Sequence, residues 1–466
     1  MSIATTSPRS TLPSVATACR APADTPAGGA HPEQGPALPP TVGAALRVPV
    51  LSGEVGYVNL DHAASTPALV SVQRAVDLAL QTYASVHRGN GHASKVTSDW
   101  YEQARGEVAT FVGARPDDAV IFTRNTTDAF NLLARSLPHD TTVFVFESEH
   151  HSTLLPWQGS HTVVLPVPSS AAQALDSLEA ALRESRSQHR LVVVAGASNV
   201  TGEVWPLRDV VELARRHGAR VAVDAAQLAP HRAVDLAGTG VDYVAFSGHK
   251  LYAPFGAGVL AGRTDWLDLA QPYLRGGGAT TRVTRTTTAW ASGAARHEGG
   301  SPNVIGAIAL AAACAALTAH RPAIERHEDG LLDALRQGLD AIPGVDTWSV
   351  FGPEHDRVPV VALTIERLDS SLVAAILSAE HGIGVRDGKF CAHILVDELL
   401  ADPWGEVPAT AVRVSLGISN TLEHVERLVR ALADLAAHGP QRRYVRTDQG
   451  WLPAGDTRTL TLPRPW

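Results

Sequence analysis

Lys250 stands in SGHKLYAPFGAG (247–258), between a histidine and a glycine-rich turn and just after the apolar run VDYVAFSG. An ammonium is costly to remove from water unless it is paired or deprotonated. A lysine at the lip of a buried strand is therefore either a snorkelling side chain or an amine tuned for chemistry. Similar positions elsewhere carry similar residues: Glu149, His150 and His151 follow TVFVFES, Ser198 and Asn199 follow RLVVVAGA, Asp224 and Gln227 close RVAVDAAQ, and Ser247 and His249 flank the lysine strand's end. In open α/β sheets ligands bind at the carboxyl ends of strands, so an acid, an amide, imidazoles and an amine there suit acid–base and amine chemistry on one small molecule. Taken singly, Asp224 could cap a helix, His150 could be a core histidine and Asn199 could make a turn. In RNTTDAFNLL, Thr126 and Thr127 open a helix whose hydroxyls and free amides could bind an anion or simply cap it. Neither GxxxxGK[ST] nor GxGxxG occurs, which favours a small phosphorylated cofactor over a nucleoside triphosphate or dinucleotide.

The elements that must hold these residues alternate from residue 57 onward. PALVSVQRAVDLALQTYASV, DWYEQARGEVATFVGA, TTDAFNLLARSL and LRDVVELARRHG carry helical spacing. AVIFT, TVFVFES, RLVVVAGAS, RVAVDAAQ, VDYVAFSG and GAGVLAGR read as strands. Continuous apolar strands separated by helices predict a mostly parallel sheet covered on both faces. The alanine-rich run 304–318 predicts a buried helix too short to span a bilayer. Beyond it, VPVVALTIE, IGVRD and AVRVSLG with the helices SSLVAAILSAEHG and EHVERLVRALADLAAH predict a smaller α/β domain. The expected organisation is a disordered tail over 1–50, a large cofactor-binding domain over 51–304, a linking helix and small domain over 305–438, and a second tail over 439–466.

Composition narrows the class. With 466 residues, 39 basic against 47 acidic side chains and a net charge of -8, no global field attracts nucleic acid or anionic lipid. Neither partner is expected; a small molecule or a protein is. Three cysteines without CxxC-type spacing give no disulfide framework and no metal motif. They point to a reducing, cytoplasmic compartment. The N-terminus is rich in Ser, Thr, Ala and Pro, lacks an apolar signal core, and has too many prolines for an amphipathic transit helix.

Ten stretches together resemble one family: LDHAASTP, VHRGNGHAS, RNTTDAFNL, SEHHSTLLPW, ASNVTGEVWP, VDAAQLAPHRAVD, SGHKLYAPFGAG, HEGGSPN, VRDGKFCAH and VRVSLGISNT. From about 57 to 437 the chain is similar to class V aminotransferase-fold enzymes dependent on pyridoxal phosphate. Within them it most resembles the group II cysteine desulfurases and selenocysteine lyases. The resemblance implies fold type I, an α/β fold with a large domain on a mostly parallel mixed sheet and a smaller C-terminal α/β domain. It assigns Lys250 to a Schiff base with the cofactor, Asp224 to the pyridine nitrogen, Gln227 to the ring hydroxyl side and His150 to the ring face. Thr127, Ser247 and His249 are implied at the phosphate with Thr126 nearby. Asn199 and Arg413 are implied at the substrate's amino-acid end. The segment 276–280, with Gly278 and Thr280, is implied to reach the phosphate of a neighbouring subunit, hence a homodimer.

The same resemblance implies that Cys391 takes sulfur from L-cysteine as a persulfide and leaves L-alanine, for delivery to a sulfur-acceptor protein. Arg386, Gly388, Cys391 and Ala392 keep the RxGxxCA pattern, and Lys389 is positioned to favour the thiolate electrostatically. Relatives usually carry two histidines before this cysteine, where this chain has Lys389 and Phe390. The connection VDELLADPWGEVP is longer than the family's, and HRGNGH has one residue more than HRGxH. The resemblance also implies selenocysteine as a further substrate of the same chemistry. Alternatives on the same scaffold are an aminotransferase, an epimerase, or a carbon–sulfur lyase acting on another amino acid without Cys391.

Overall fold

The computed structural model describes residues 37–157, 161–401, 409–448, 450–460, 462 and 464–466. The chain begins with a hairpin, β1 (Arg47–Val50) and β2 (Gly53–Gly56), followed by the short β3 (Val58–Asn59). Seven strands then make the main sheet: β4 (Asp118–Thr123), β5 (Thr141–Phe146), β6 (His161–Leu165), β7 (His189–Ala195), β8 (Arg220–Asp224), β9 (Tyr243–Ser247) and β10 (Gly258–Arg263). Their spatial order is β4-β10-β9-β8-β7-β5-β6. β5 to β9 run parallel where they pair, and β10 lies antiparallel to both neighbours.

The apolar runs are continuous because both faces are covered. Along β7, Leu191 and Val193 enter one core while Val192 and Val194 enter the other. Along β5, Val143 and Val145 alternate with Phe144 and Phe146 in the same way. A period-two chain with both faces buried must be apolar at every position.

A hairpin of β11 (Thr280–Val283) and β12 (Thr288–Trp290) leads on to the helix Val304–Asp340. That helix is far longer than the predicted 304–318, and it continues through Pro322. Its length and apolarity would suffice to cross a membrane, but just over half of its most apolar window, 56%, is buried inside the fold. It packs mainly on the helices His92–Phe111 and Val70–Leu80.

The smaller layer comprises β13 (Val345–Thr347), β14 (Val360–Ile365), β15 (Ile383–Gly384), β16 (Arg386–Gly388) and β17 (Ala411–Ser415), with the helices Ser370–His381 and Leu422–His438 against them. Here the structure corrects the expected boundaries. β3 pairs in parallel with β15, and Val58 and Leu60 belong to the small layer's core, so this N-terminal stretch is not part of the large layer. The tail 1–50 was drawn too long. Thr41 bridges Leu69, and Val50 is buried because β1 packs on Ser370–His381. Residues 1–36 lie outside the described residues. Nor is 439–466 merely an extended tail: β18 (Tyr444–Thr447) and β19 (Gly450–Pro453) form a hairpin, and the Tyr444 hydroxyl donates to Glu380 Oε1 at 2.8 Å. These four-residue strands, RVPV, GEVG, YVRT and GWLP, escape a pattern reading because they are too short to show a periodicity.

Two close approaches lock the layers. Glu203 is fully buried and accepts the backbone N–H groups of Val350 (2.6 Å) and Phe351 (2.7 Å). Gly202 beside it has φ +77°, and a Cβ there would stand 2.5 Å from the Val360 carbonyl oxygen. Only glycine meets both demands.

Candidate active site

The carboxyl ends of β5, β7, β8 and β9 open on a cavity of about 340 Å³. It is lined by Thr126, Thr127, His150, Asn199, Asp224, Gln227, Ser247, His249 and Lys250 from the large layer, and by Arg386, Phe390, Cys391 and Arg413 from the small one. Twelve of the fourteen predicted site residues thus share one space. Gly278 and Thr280 do not: they line a separate hollow with Arg88, Arg105 and Glu298.

Lys250 follows β9 on a 3₁₀ turn, Gly248–Lys250, pinned by the preceding residue. The His249 carbonyl accepts Thr66 N at 2.8 Å, Thr66 Oγ1 at 3.2 Å and Ser65 Oγ at 3.1 Å. Burial pushes the Lys250 ammonium down to about 8, with Arg413 in the same direction and Asp224 opposing. The amine is thus partly free of its proton near neutral pH.

Asp224 ends β8, buried. It accepts Thr153 Oγ1 at 2.6 Å and Ala226 N at 2.9 Å. Burial still raises its pKa, against those hydrogen bonds and Lys250. An acid held this way stabilises a cationic ring nitrogen better than it stands alone. His150 accepts Ser152 N on Nδ1 at 3.0 Å, which leaves the ring proton on Nε2. Burial first, then Lys250, lowers its pKa to about 3, so it is a neutral imidazole. Glu149, buried behind it, accepts Ala195 N at 3.1 Å through Oε1, while Oε2 has no partner among the described residues. Burial raises its pKa to about 8.

The anion end is built where Thr126 begins the helix Thr126–Arg135, with Asn125 as its cap. Thr126 donates its N–H to Ser247 Oγ at 2.9 Å, and the two hydroxyls lie 2.8 Å apart. The Thr126 amide is therefore committed to Ser247, and the exposed Thr127 stands free toward the cavity. β10 passes so close that a Cβ on Gly258 would lie 2.5 Å from Asn125 Cα. Gln227 turns its amide to the Ala63 carbonyl at 2.9 Å.

Opposite the amine, Arg386 and Arg413 are register partners on β16 and β17. Like charges placed directly across strands repel, and an anion between them relieves the cost. Arg413 is 4% exposed, donates to Asn199 O and Asp61 Oδ1 at 3.0 Å each, and has no partner for Nε among the described residues. Burial and Arg386 lower its pKa while Asp61 opposes them. Cys391 is exposed at the mouth in a left-handed conformation (φ +56°), and its carbonyl accepts His151 N at 2.8 Å. The Lys389 ammonium is paired with Asp397 Oδ1 at 2.5 Å. The Asn199 amide likewise is already donated to Phe390 O at 2.7 Å.

Thr153, Ser152, Asp61 and Phe390 went unassigned in the sequence, although each lies inside or beside a motif already singled out. Part of the long connection 396–408 falls outside the described residues.

The donor set fits pyridoxal phosphate: a buried low-pKa amine, a buried carboxylate, a neutral imidazole, and hydroxyls at a helix start. Comparison with known proteins agrees. The aminotransferase class-V model matches residues 58–428. A probable cysteine desulfurase of Halalkalibacterium halodurans is 35% identical over 400 residues, 82% of this chain and 95% of that protein. A cysteine desulfurase of Dickeya dadantii is 38% identical over 389 residues, 80% and 90% of the two chains. Among solved structures, the apo cysteine desulfurase of Thermococcus onnurineus NA1 superposes with a TM-score of 0.74 at 31% identity, covering 82% of this chain and 95% of that one. A cysteine desulfurase from Escherichia coli gives 0.70 at 30%, covering 82% and 94%. The α/β fold is that of fold type I, and with the family model spanning most of its length, this chain belongs to the class V aminotransferases, a family of pyridoxal-phosphate enzymes.

Proposed function

We propose that this chain is a pyridoxal-phosphate-dependent cysteine desulfurase that takes sulfur from L-cysteine onto Cys391 and releases L-alanine. The observation that carries the reading is that Lys250, Arg413 and Cys391 line one cavity, from two different layers. The names of the similar proteins support it.

Lys250 would join the cofactor, with Asp224 at the ring nitrogen, His150 over the ring and Gln227 beside it. Thr127, Ser247 and His249 would hold the phosphate, with Thr126 bracing Ser247. When bound, pyridoxal phosphate supplies an electron sink for bonds at the substrate's α-carbon. The chain's residues do the rest. Arg413, with Arg386 beside it, binds the carboxylate in a charge-assisted fork, and Asn199 faces the same end. Lys250, its amine poised near neutral pH, moves the α-proton. The Cys391 thiolate attacks the substrate sulfur. A sulfur–sulfur bond forms, the carbon–sulfur bond breaks, and its electron pair stays on the β-carbon, which takes a proton to become the methyl of alanine. One thiol and one cysteine give one persulfide and one alanine, with no external oxidant.

Two further elements belong to this reading. Gly278 and Thr280, remote from the cavity of their own chain, would complete the phosphate site of a second copy, in a homodimer. Cys391, exposed at the mouth, would hand sulfur to an acceptor protein in the reducing cytoplasm. The test is direct: cofactor-loaded protein with L-cysteine and a reductant should release alanine in excess over enzyme. No alanine with the cofactor's absorbance intact would reject the reading.

A further inference from the structure

Phe390, the residue before the nucleophile, is held in a strained backbone conformation by contacts on every side. Its φ of +53° lies in the left-handed region that side chains with a Cβ avoid. Yet it is only 6% exposed, its ring set among Val200, Ala362, Ala392 and Leu395. On one side the ring meets the Arg413 guanidinium, with Cζ 5.2 Å from the ring centroid. Its carbonyl accepts the Asn199 amide at 2.7 Å, and Asn199 in turn accepts Arg413 through its own carbonyl at 3.0 Å. Phe390, Asn199 and Arg413 therefore close a ring of three contacts. Cys391 is attached to it by one peptide bond and tied again through His151 N at 2.8 Å.

Arg413 needs such support. It is almost fully buried, its Asp61 partner takes one N–H, and Nε has none among the described residues. Arg386, across the sheet, pushes it with the same charge. An aromatic face attracts a desolvated guanidinium and also fixes its plane.

We infer that Phe390 is a positioning residue that fixes the Arg413 fork and the Cys391 backbone in one frame, so that substrate carboxylate and sulfur are met at a set separation. The inference rests on the reading of Arg413 as the carboxylate site and Cys391 as the sulfur acceptor.

The test uses cofactor-loaded Phe390→Leu, which keeps an apolar filler but removes the π face, beside Phe390→Tyr, which restores it. Phe390→Leu should raise KM for L-cysteine roughly tenfold, within the range of a desolvated cation–π contact, and lower kcat as well, because the Cys391 backbone loses the same frame. Phe390→Tyr should stay within about twofold of the wild type. L-alanine, which keeps the carboxylate and lacks sulfur, should bind Phe390→Leu more weakly by the same factor in a spectral titration. Unchanged L-alanine binding in Phe390→Leu, or a tyrosine variant as impaired as the leucine variant, overturns the inference. If Phe390→Leu does not fold, Phe390→Met carries the same expectation. Should the wild type release no alanine from L-cysteine, the desulfurase reading falls, and the L-alanine titration still decides the role of Phe390.

Discussion

At the scale of single residues, the cavity separates groups that share a chemistry by giving them different surroundings. Lys250 and His150 are both bases pushed toward neutrality by burial, but only Lys250 stays near neutral pH. Replacing Cys391 by Ser should therefore reduce alanine formation at least a hundredfold and leave cofactor binding unchanged, since the thiol is not among the groups that hold the cofactor. Retained turnover in that variant, measured by alanine release, would move the reaction to a lyase without a persulfide. Glu149 offers a second test. The folded chain holds its proton up to about pH 8, while an unfolded glutamate releases it near 4.3. Unfolding sheds a proton between those values, so stability falls as pH rises through the window, by at most about 1.4 kcal/mol per pH unit. Glu149→Gln, which keeps the acceptor for Ala195 N but cannot ionise, should match the wild type near pH 4 and exceed it near pH 8 in denaturant melts. Parallel curves would show that Glu149 does not titrate in this way.

At the scale of elements, the site depends on how closely a strand can pass a helix start. Gly258→Ala puts a Cβ against Asn125 Cα, and backbone must yield. The expected loss is about 1–3 kcal/mol in denaturant melts, as for overpacked cores, with cofactor affinity falling as well because Thr126 and Ser247 are displaced together. A normal affinity would mean that the helix start plays no part in the anion site. Elements of this kind were legible in the sequence when their periodicity was complete. β5, β7, β8 and β9 carry unbroken apolar runs, 143–146, 191–195, 221–223 and 243–246, and Lys250, Asp224 and Asn199 could be placed from where those runs stop. What was not legible is contact across the chain. Arg413 was assigned to the substrate, but its partner Asp61 lies 352 residues away, and no spacing rule reaches that far. Lys389 was read by its charge alone, and the pairing with Asp397 comes from a helix turn that only the folded loop brings near. The strands of the β1–β2 and β18–β19 hairpins are four residues each, too short for a periodicity to show.

At the scale of the whole molecule, Gly278 and Thr280 sit in a hollow of their own. If a second copy receives them, the protein should run in light scattering at twice the 49.1 kDa chain mass, and diluting it into monomers should release cofactor. Cofactor retained by a monomer would remove these two residues from the site. The crossing of β3 into the small layer has a consequence for how the protein is made. β3 meets β15 across more than three hundred residues of intervening chain, and the strands that supply Lys250 and Asp224 are complete long before β15 has been translated. On the ribosome, where domains fold as they emerge, the segment around Val58 must wait unpaired until the last fifth of the chain is synthesised. Such distant contacts are slow to form. The nascent protein therefore passes through a long stage in which the amine and its carboxylate are present without the nucleophile or the arginine fork, and the reactive pocket is assembled only at the end of translation.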